Sequence, residues 1–288
     1  MSAEPTKVPA PLPLREVHGP SALGGGSRRF FDLLWLMSVT EFKRVYFGTV
    51  LGYLWSLVRP LALFGVLLFV FTQVFKIGSN EAEHYPVLLL MGIVLFTFFQ
   101  EATTNSVTSV VAQEGVVRKT QFPRLVIPIS TVVTGAFNLL LNLVIVAGFV
   151  FGFGVEPMWT WLLFPVALAL LFVLTAAVSM LLSVLYVRFR DIAIIWLVAA
   201  QILFYATPIL YPVTMFHSDT KEHLLMINPL AVIFEQVRVW VIEPSAPTAV
   251  EAAGGWAGLI PAIAIFVAVC VLGVWTFSRE APKVAEQL

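Results

Sequence analysis

This chain is short of charge. Of its 288 residues only 12% are Asp, Glu, Lys or Arg, while 59% are hydrophobic. A soluble domain carries roughly 25% charged residues, because water must wet its surface. Too few charges remain to cover a globule of this length, which excludes an ordinary soluble enzyme and a disordered chain. Net charge is lacking as well: 17 basic residues balance 17 acidic ones, so no basic field points to nucleic acid. Cysteine is almost absent. Cys270 stands alone and cannot form a bridge within the chain, which excludes a disulfide scaffold and leaves the redox compartment unread.

Catalytic apparatus is missing too. No Gly-x-x-x-x-Gly-Lys-Ser/Thr phosphate loop occurs, so P-loop hydrolysis of ATP by this chain is not expected. The four histidines, His18, His84, His217 and His223, are scattered and have no Cys or acidic cluster at ligand spacing. His217 and His223 could share a metal, but a plain loop role accounts for both. No Ser/His/Asp arrangement can be placed. Neither a catalytic residue nor a metal nor a cofactor is expected on this chain.

Long apolar sequence is what the chain has. A helix needs about 20 apolar residues to cross ~30 Å of hydrocarbon. Six stretches qualify, at about 52–75, 85–111, 125–155, 157–187, 192–211 and 252–278. The fold class expected is therefore an all-α polytopic membrane protein with six spans. The stretch Leu224–Phe234 is too short to span and reads as an interfacial or re-entrant helix. Within it Asn228 can cap a helix whose first residue is Pro229, with Leu230, Ile233, Phe234, Val237 and Val241 as its apolar stripe. Glu235 and Arg238, three apart on the other side, can pair weakly.

Charge asymmetry orients these spans. With the N-terminus inside, the inner segments hold fourteen of the seventeen basic residues, and only Lys76, Lys221 and Arg238 fall outside. The outer segments instead carry Glu81, Glu83, Glu156, Asp219, Glu222, Glu235, Glu243 and Glu251. Both termini are thus expected on the cytoplasmic side. Trp159 and Trp161 fall where an outer aromatic belt would sit. Residues 1–27, rich in Pro, Ala and Gly and without an apolar signal-peptide region, read as a flexible cytoplasmic tail. Residues 28–48 read as an amphipathic surface helix: Phe31, Leu34, Trp35, Phe42, Val45 and Tyr46 recur at helical spacing, with Arg29, Asp32 and Lys43 on another side. Residues 49–288 make the transmembrane domain.

Four local patterns remain. One runs from Phe42 to Pro60, where Lys43 and Arg44 suit the headgroups, Tyr53 and Trp55 suit the interface, and Arg59 stands near the start of the first span. The second is Gln121-Phe122-Pro123-Arg124-Leu125-Val126-Ile127-Pro128, leading into the third span. The third is the turn Arg188-Phe189-Arg190-Asp191-Ile192. The fourth is Thr207-Pro208-Ile209-Leu210-Tyr211-Pro212, followed by Asn228-Pro229-Leu230. In order and spacing, from about Arg28 to the C-terminus, these patterns resemble the membrane subunit of ABC exporters for lipid-linked polysaccharides, a group that includes O-antigen, teichoic-acid and mycobacterial galactan exporters. The Ala- and Pro-rich tail lies outside the family pattern. It suits an actinobacterial source, which leans toward a galactan.

The resemblance implies a permease in a bacterial inner membrane, two copies of which form a pore, with a separate ATPase subunit below each copy supplying ATP and Mg. It implies a lipid-linked glycan as cargo. It also implies that the loop with Glu114, Arg118, Lys119, Phe122 and Arg124 contacts the ATPase, although a plain positive-inside loop needs only those charges. Arg28 and Arg29 on the surface helix would contribute to docking, or the helix would only anchor in lipid. Arg188, Arg190 and Asp191 could dock the ATPase or form a self-contained turn. A permease for a small lipophilic drug or lipid, and a polytopic lipid-linked sugar transferase, are the alternatives.

Polar residues at membrane depth are the last signal. Glu101 is the only acid inside a span, and a lone buried carboxylate must be paired, protonated or wet. It lies about fifteen residues past Tyr85, roughly 22 Å along the helix, close to the level expected for Arg59. The two are therefore expected to approach each other; in the alternative Arg59 snorkels to lipid phosphate and Glu101 faces pore water. Thr131, Thr134, Asn138 and Asn142 form one polar stripe on the third span. Such a stripe can bond neighbouring helices or line a path for sugars.

Overall fold

A computed structural model describes residues 27–46, 52–74, 84–115, 123–216 and 219–287. Among these the regular structure is all helix, with no strand. Helix α1 spans Ser27–Tyr46 and α2 Gly52–Phe69, the latter running on through a π-helical turn, Val70–Val74. Then come α3 (Tyr85–Ala112), α4 (Val126–Gly152), a 3-10 turn at Trp159–Leu163 that leads into α5 (Phe164–Arg188), and α6 (Ile192–Ala206). A compact segment of short helices follows, α7 (Asp219–Leu225), α8 (Pro229–Val237) and α9 (Ala249–Ala252). The last helix is α10 (Trp256–Gln287).

Among the described residues five helical stretches are long and apolar enough to cross a membrane: Leu54–Val74, Tyr85–Ala112, Val126–Gly152, Trp159–Arg188 and Trp256–Glu280. The fifth span expected from sequence is shorter than its stretch at 192–211. Its helix stops at Ala206 after 15 residues, about 22 Å against ~30 Å of hydrocarbon. Pro208 is the reason: it brings no N–H to a helix and pushes the preceding residue toward extended backbone, as Thr207 with ψ 139° shows.

The core forms around α3. Most of its length is buried, and Tyr85, Val87, Leu89, Ile93, Leu95, Phe96 and Phe99 are enclosed almost completely. Phe96 meets Phe204 of α6 edge to face at 5.2 Å, and Phe99 meets Trp196 at 6.1 Å. In contrast α2, α6 and α10 leave long apolar faces outward, among them Val66, Phe69, Ile194, Val198, Ile260 and Trp275. Apolar residues facing outward at this density are what lipid or another apolar chain, not water, would meet.

Two joints set the geometry of the ends. At one end, Phe30, Leu33, Leu34 and Met37 of α1 pack on Val110, Val126 and Ile127, where α3 ends and α4 begins. Ser38, fully buried, donates from Oγ to Leu34 O at 2.7 Å and to Ser130 O at 3.4 Å. Thr134 Oγ1 donates back to Ser38 O at 3.2 Å. Helix α1 is thus docked on the bundle rather than only laid beside it. The stripe expected to anchor it divides: Leu34 is turned inward, while Phe31 and Trp35 are 64% and 62% exposed.

At the other end, hydrogen bonds tie the segment 207–242 to the bundle. Tyr85 Oη donates to Leu210 O at 2.8 Å, Trp161 Nε1 to Val241 O at 3.1 Å, and Thr160 Oγ1 to Trp240 O at 2.7 Å. Gly92 lets this segment close on α3, since a Cβ there would stand 3.1 Å from Ile209 Cγ2. Asn228 caps α8 as expected, accepting from Leu230 N at 3.0 Å, and its Nδ2 donates to Thr207 Oγ1 at 3.0 Å.

Candidate functional site

A cavity of about 820 Å³ opens between α1, α3, α4 and α6, at the end of the bundle where α1 docks. One strip of its wall is polar because the second half of α3 is polar. Glu101, Thr104, Asn105, Thr108 and Ser109 succeed one another there, facing Ser130, Thr131 and Thr134 of α4 and Thr40, Glu41 and Arg44 of α1. Thr104 Oγ1 and Gln113 Oε1 on the same wall are buried and have no hydrogen-bond partner among the described residues. Such atoms require water or a ligand.

Glu101 sits on this wall with its side chain 32% exposed. The Arg59 guanidinium reaches it from α2, Nη1 to Oε1 at 3.3 Å. Asn138 Nδ2 donates to the other carboxylate oxygen at 3.5 Å. The expected approach of Arg59 and Glu101 is observed, and the Arg59 side chain remains 79% exposed.

The polar stripe of α4 is divided in its contacts. Thr131 and Thr134 line the cavity. Thr131 Oγ1 pairs with Ser106 Oγ of α3, so it also joins two helices. Asn138 is buried and turned to Glu101, while Asn142 Nδ2 donates to Asn138 O at 2.9 Å and Oδ1 at 3.1 Å. Neither asparagine lines the cavity. A contact that sequence reasoning missed lies close by: Trp196 Nε1 of α6 donates to Thr103 Oγ1 at 3.1 Å. Nothing in the spacing of α6 signals it, because the partner lies 93 residues away.

The basic residues expected to dock a partner are placed separately. Arg28 and Arg29 are exposed on α1, as are Lys43 and Arg44. Arg44 is held by Glu41 at 2.6 Å. In the turn between α5 and α6, Arg188 lies over Phe189 at 5.6 Å and Arg190 over Tyr186 at 5.0 Å, so the turn is partly self-contained. Asp191 precedes α6 without a side-chain cap bond. Glu114 and Arg124 are half-buried, flanking the loop. Arg118, Lys119 and Phe122 lie outside the described residues, as does the side chain of Tyr53. Trp55 is 61% exposed.

One sequence expectation is corrected at the opposite end. Glu235 and Arg238 pair as expected, but in the interior rather than on an open side of the helix. They are 2% and 5% exposed, with Arg238 Nη1 3.2 Å from Glu235 and Nη2 2.8 Å from Glu243. The reason is non-local: α8 passes into a π-helical turn at Arg238–Ile242 that turns this arginine inward, where Glu243 supplies a second carboxylate. Burial pushes the Glu235 carboxyl up to about 7, against the pull of Arg238. Among the described residues no three His, Cys, Asp or Glu side chains gather as a metal site would need.

An all-helical bundle with apolar outer faces and a cavity carrying a polar strip at one end defines a polytopic membrane protein rather than a soluble domain. The family model described as ABC-2 type transporter matches residues 32–241, from α1 into the segment of short helices, and the chain belongs to that family. Among its relatives is the O-antigen export system permease protein RfbA of Klebsiella pneumoniae, 32% identical over 203 residues, covering 70% of this chain and 76% of the relative. The RfbA protein of Myxococcus xanthus is 27% identical over 210 residues, covering 73% and 80%. The polysialic acid transport protein KpsM of Escherichia coli is 26% identical, covering 68% and 76%.

Proposed function

We propose that this chain is the transmembrane subunit of an ATP-driven exporter. Its cargo is a polyprenyl-diphosphate-linked polysaccharide, moved from the cytoplasmic to the outer side of a bacterial inner membrane. The observation that carries the reading is the cavity of about 820 Å³, whose wall adds hydroxyls, amides, the Glu41 and Glu101 carboxylates and the Arg44 guanidinium to its apolar residues, a lining that suits a hydroxyl-rich cargo better than a small lipophilic one. The relatives named for O-antigen and polysialic acid export support the same cargo class. A galactan is the glycan we favour, on the composition of the tail.

In this reading six segments cross. Helix α6, with the segment after it, supplies the sixth crossing, and local thinning of the bilayer accommodates a short helix. Both termini face the cytoplasm. Two copies of the chain enclose the path, using the apolar faces of α2 and α6. Two ATPase subunits, each with ATP and Mg, dock at the end that carries α1, Glu114, Arg124, Arg188, Arg190 and the loop with Arg118 and Lys119. Those contacts transmit ATPase motion to the cavity.

Affinity purification of the tagged chain from membranes, paired with depletion in cells, tests this. An ATPase subunit should accompany the chain, and depletion should leave lipid-linked glycan accumulated on the cytoplasmic side. A chain that purifies without an ATPase, or depletion that leaves the lipid-linked glycan pool unchanged, contradicts the reading.

A further inference from the structure

We propose that Arg59 is an anion-binding residue at the substrate path, and that Glu101 holds its guanidinium until a phosphate group takes the carboxylate's place. The inference rests on the exporter reading above and adds the chemistry by which the cargo's head is held.

Three observations carry it. First, Arg59 stands in the apolar stretch Leu54–Val74, yet its side chain is 79% exposed. A guanidinium has five N–H donors in a planar fork, and among the described residues only Nη1 is engaged. Second, the bond it makes is loose. At 3.3 Å it is longer than the ~2.7–2.9 Å of a well-made charge-assisted bond. It is also single, where a carboxylate can accept two parallel bonds from the fork. Third, Glu101 lies on the cavity wall and has a second partner, Asn138, so it keeps a donor when Arg59 leaves.

A cation in an apolar span is stabilised by a counter-charge. In the empty protein Glu101 supplies it. A phosphate or diphosphate carries more charge than a carboxylate and accepts the fork bidentately, so it competes well for Arg59. No bond is made or broken. One ion pair is exchanged for another, and the sugars attached to the phosphate would extend into the polar cavity beside Glu101. Phospholipid headgroups share the phosphate chemistry but have no glycan to fill that space, so the proposed ligand is the lipid diphosphate of the cargo.

The test uses the full chain purified with the subunits that accompany it. Binding is read by native mass spectrometry against three probes: farnesyl diphosphate, farnesol and phosphatidylglycerol. Arg59→Ala should weaken farnesyl diphosphate binding about tenfold, the scale of a lost charge-assisted hydrogen bond. Arg59→Lys, which keeps charge but loses the fork, should fall between the two. Glu101→Gln should strengthen binding severalfold, because the internal competitor is gone. Farnesol binding should not respond to any of the three variants.

Opposite signs for Arg59→Ala and Glu101→Gln are what a structural pair would not produce, since breaking a structural pair from either side weakens binding alike. Unchanged farnesyl diphosphate binding in Arg59→Ala overturns the inference, and so does weakened binding in Glu101→Gln. A phosphatidylglycerol response to Arg59→Ala as large as that of farnesyl diphosphate overturns the choice of ligand. If the unaltered protein binds farnesyl diphosphate independently of Arg59, the inference fails and the exporter reading stands. If it binds no prenyl probe, both fail.

Discussion

Arg59 of α2 and Glu101 of α3, 42 residues apart, meet at 3.3 Å across two apolar helices. Each is the other's answer to the cost of a charge at membrane depth. A double-mutant cycle checks this. Glu101→Ala should destabilise the protein, and adding Arg59→Ala should cost little more, with a coupling energy of about 0.5–3 kcal/mol. Additive losses in thermal unfolding of the detergent-solubilised chain would mean the two charges are satisfied separately.

The seam between α5 and α10 predicts a second result. A Cβ on Gly273 would lie 2.5 Å from the carbonyl oxygen of Ala177, which is backbone and cannot swing away, whereas Gly148 has nothing within 4 Å. Gly273→Ala should therefore part the helices and lower the melting temperature, while Gly148→Ala should leave it within error. Equal effects at the two positions would contradict the close approach.

Ser38 predicts how α1 is held. It is fully buried and bonded to α4 through Ser130 and Thr134. Ser38→Ala should cost about 1 kcal/mol, the scale of one hydrogen bond. Ser38→Leu should displace α1, read as loss of a disulfide engineered between α1 and α4 in a chain lacking Cys270. Cross-linking undiminished in Ser38→Leu would show that α1 does not depend on this joint.

The buried cluster of Glu235, Arg238 and Glu243 predicts a pH dependence. The Glu235 carboxyl is raised in the folded protein to about 7 by burial, above its ordinary value near 4.5. Its protonated form is thus favoured on folding, so its contribution to stability is full below about 4.5 and is lost as pH rises through about 7. The melting temperature should fall between pH 5 and pH 8, and Glu235→Gln should flatten that slope. Arg238→Met, which strands two carboxylates, should cost about 3–5 kcal/mol. Identical pH profiles for the two proteins would remove Glu235 from the account.

How far these features were legible depends on whether their cause is local. The Arg59–Glu101 pair could be read because an ion in an apolar helix admits few solutions, and helix rise gives its depth. The Asn228–Pro229 cap could be read because capping is settled within three residues. The early end of α6 was present in Pro208, although the apolar run through Tyr211 masked it. The burial of Arg238 could not be read. It depends on a π-helical turn and on packing against α3 and the segment after α6, and an i, i+3 acid–base pair looks the same on any helix surface. The α4 stripe was legible as a stripe but not in its division. Only the neighbours of each position distinguish Thr131 and Thr134, at the cavity, from Asn138 and Asn142, turned into the bundle.

The measurement that bears most directly on the exporter reading is uptake of lipid-linked glycan into sealed inside-out membrane vesicles. Thr108 is exposed on the cavity wall, so Thr108→Trp should fill space without disturbing the core. ATP should drive the glycan into vesicles carrying the unaltered chain, and Thr108→Trp should abolish uptake while the protein remains at its normal level in the membrane. Uptake that needs no ATP, or that proceeds undiminished with the cavity filled, would contradict the account.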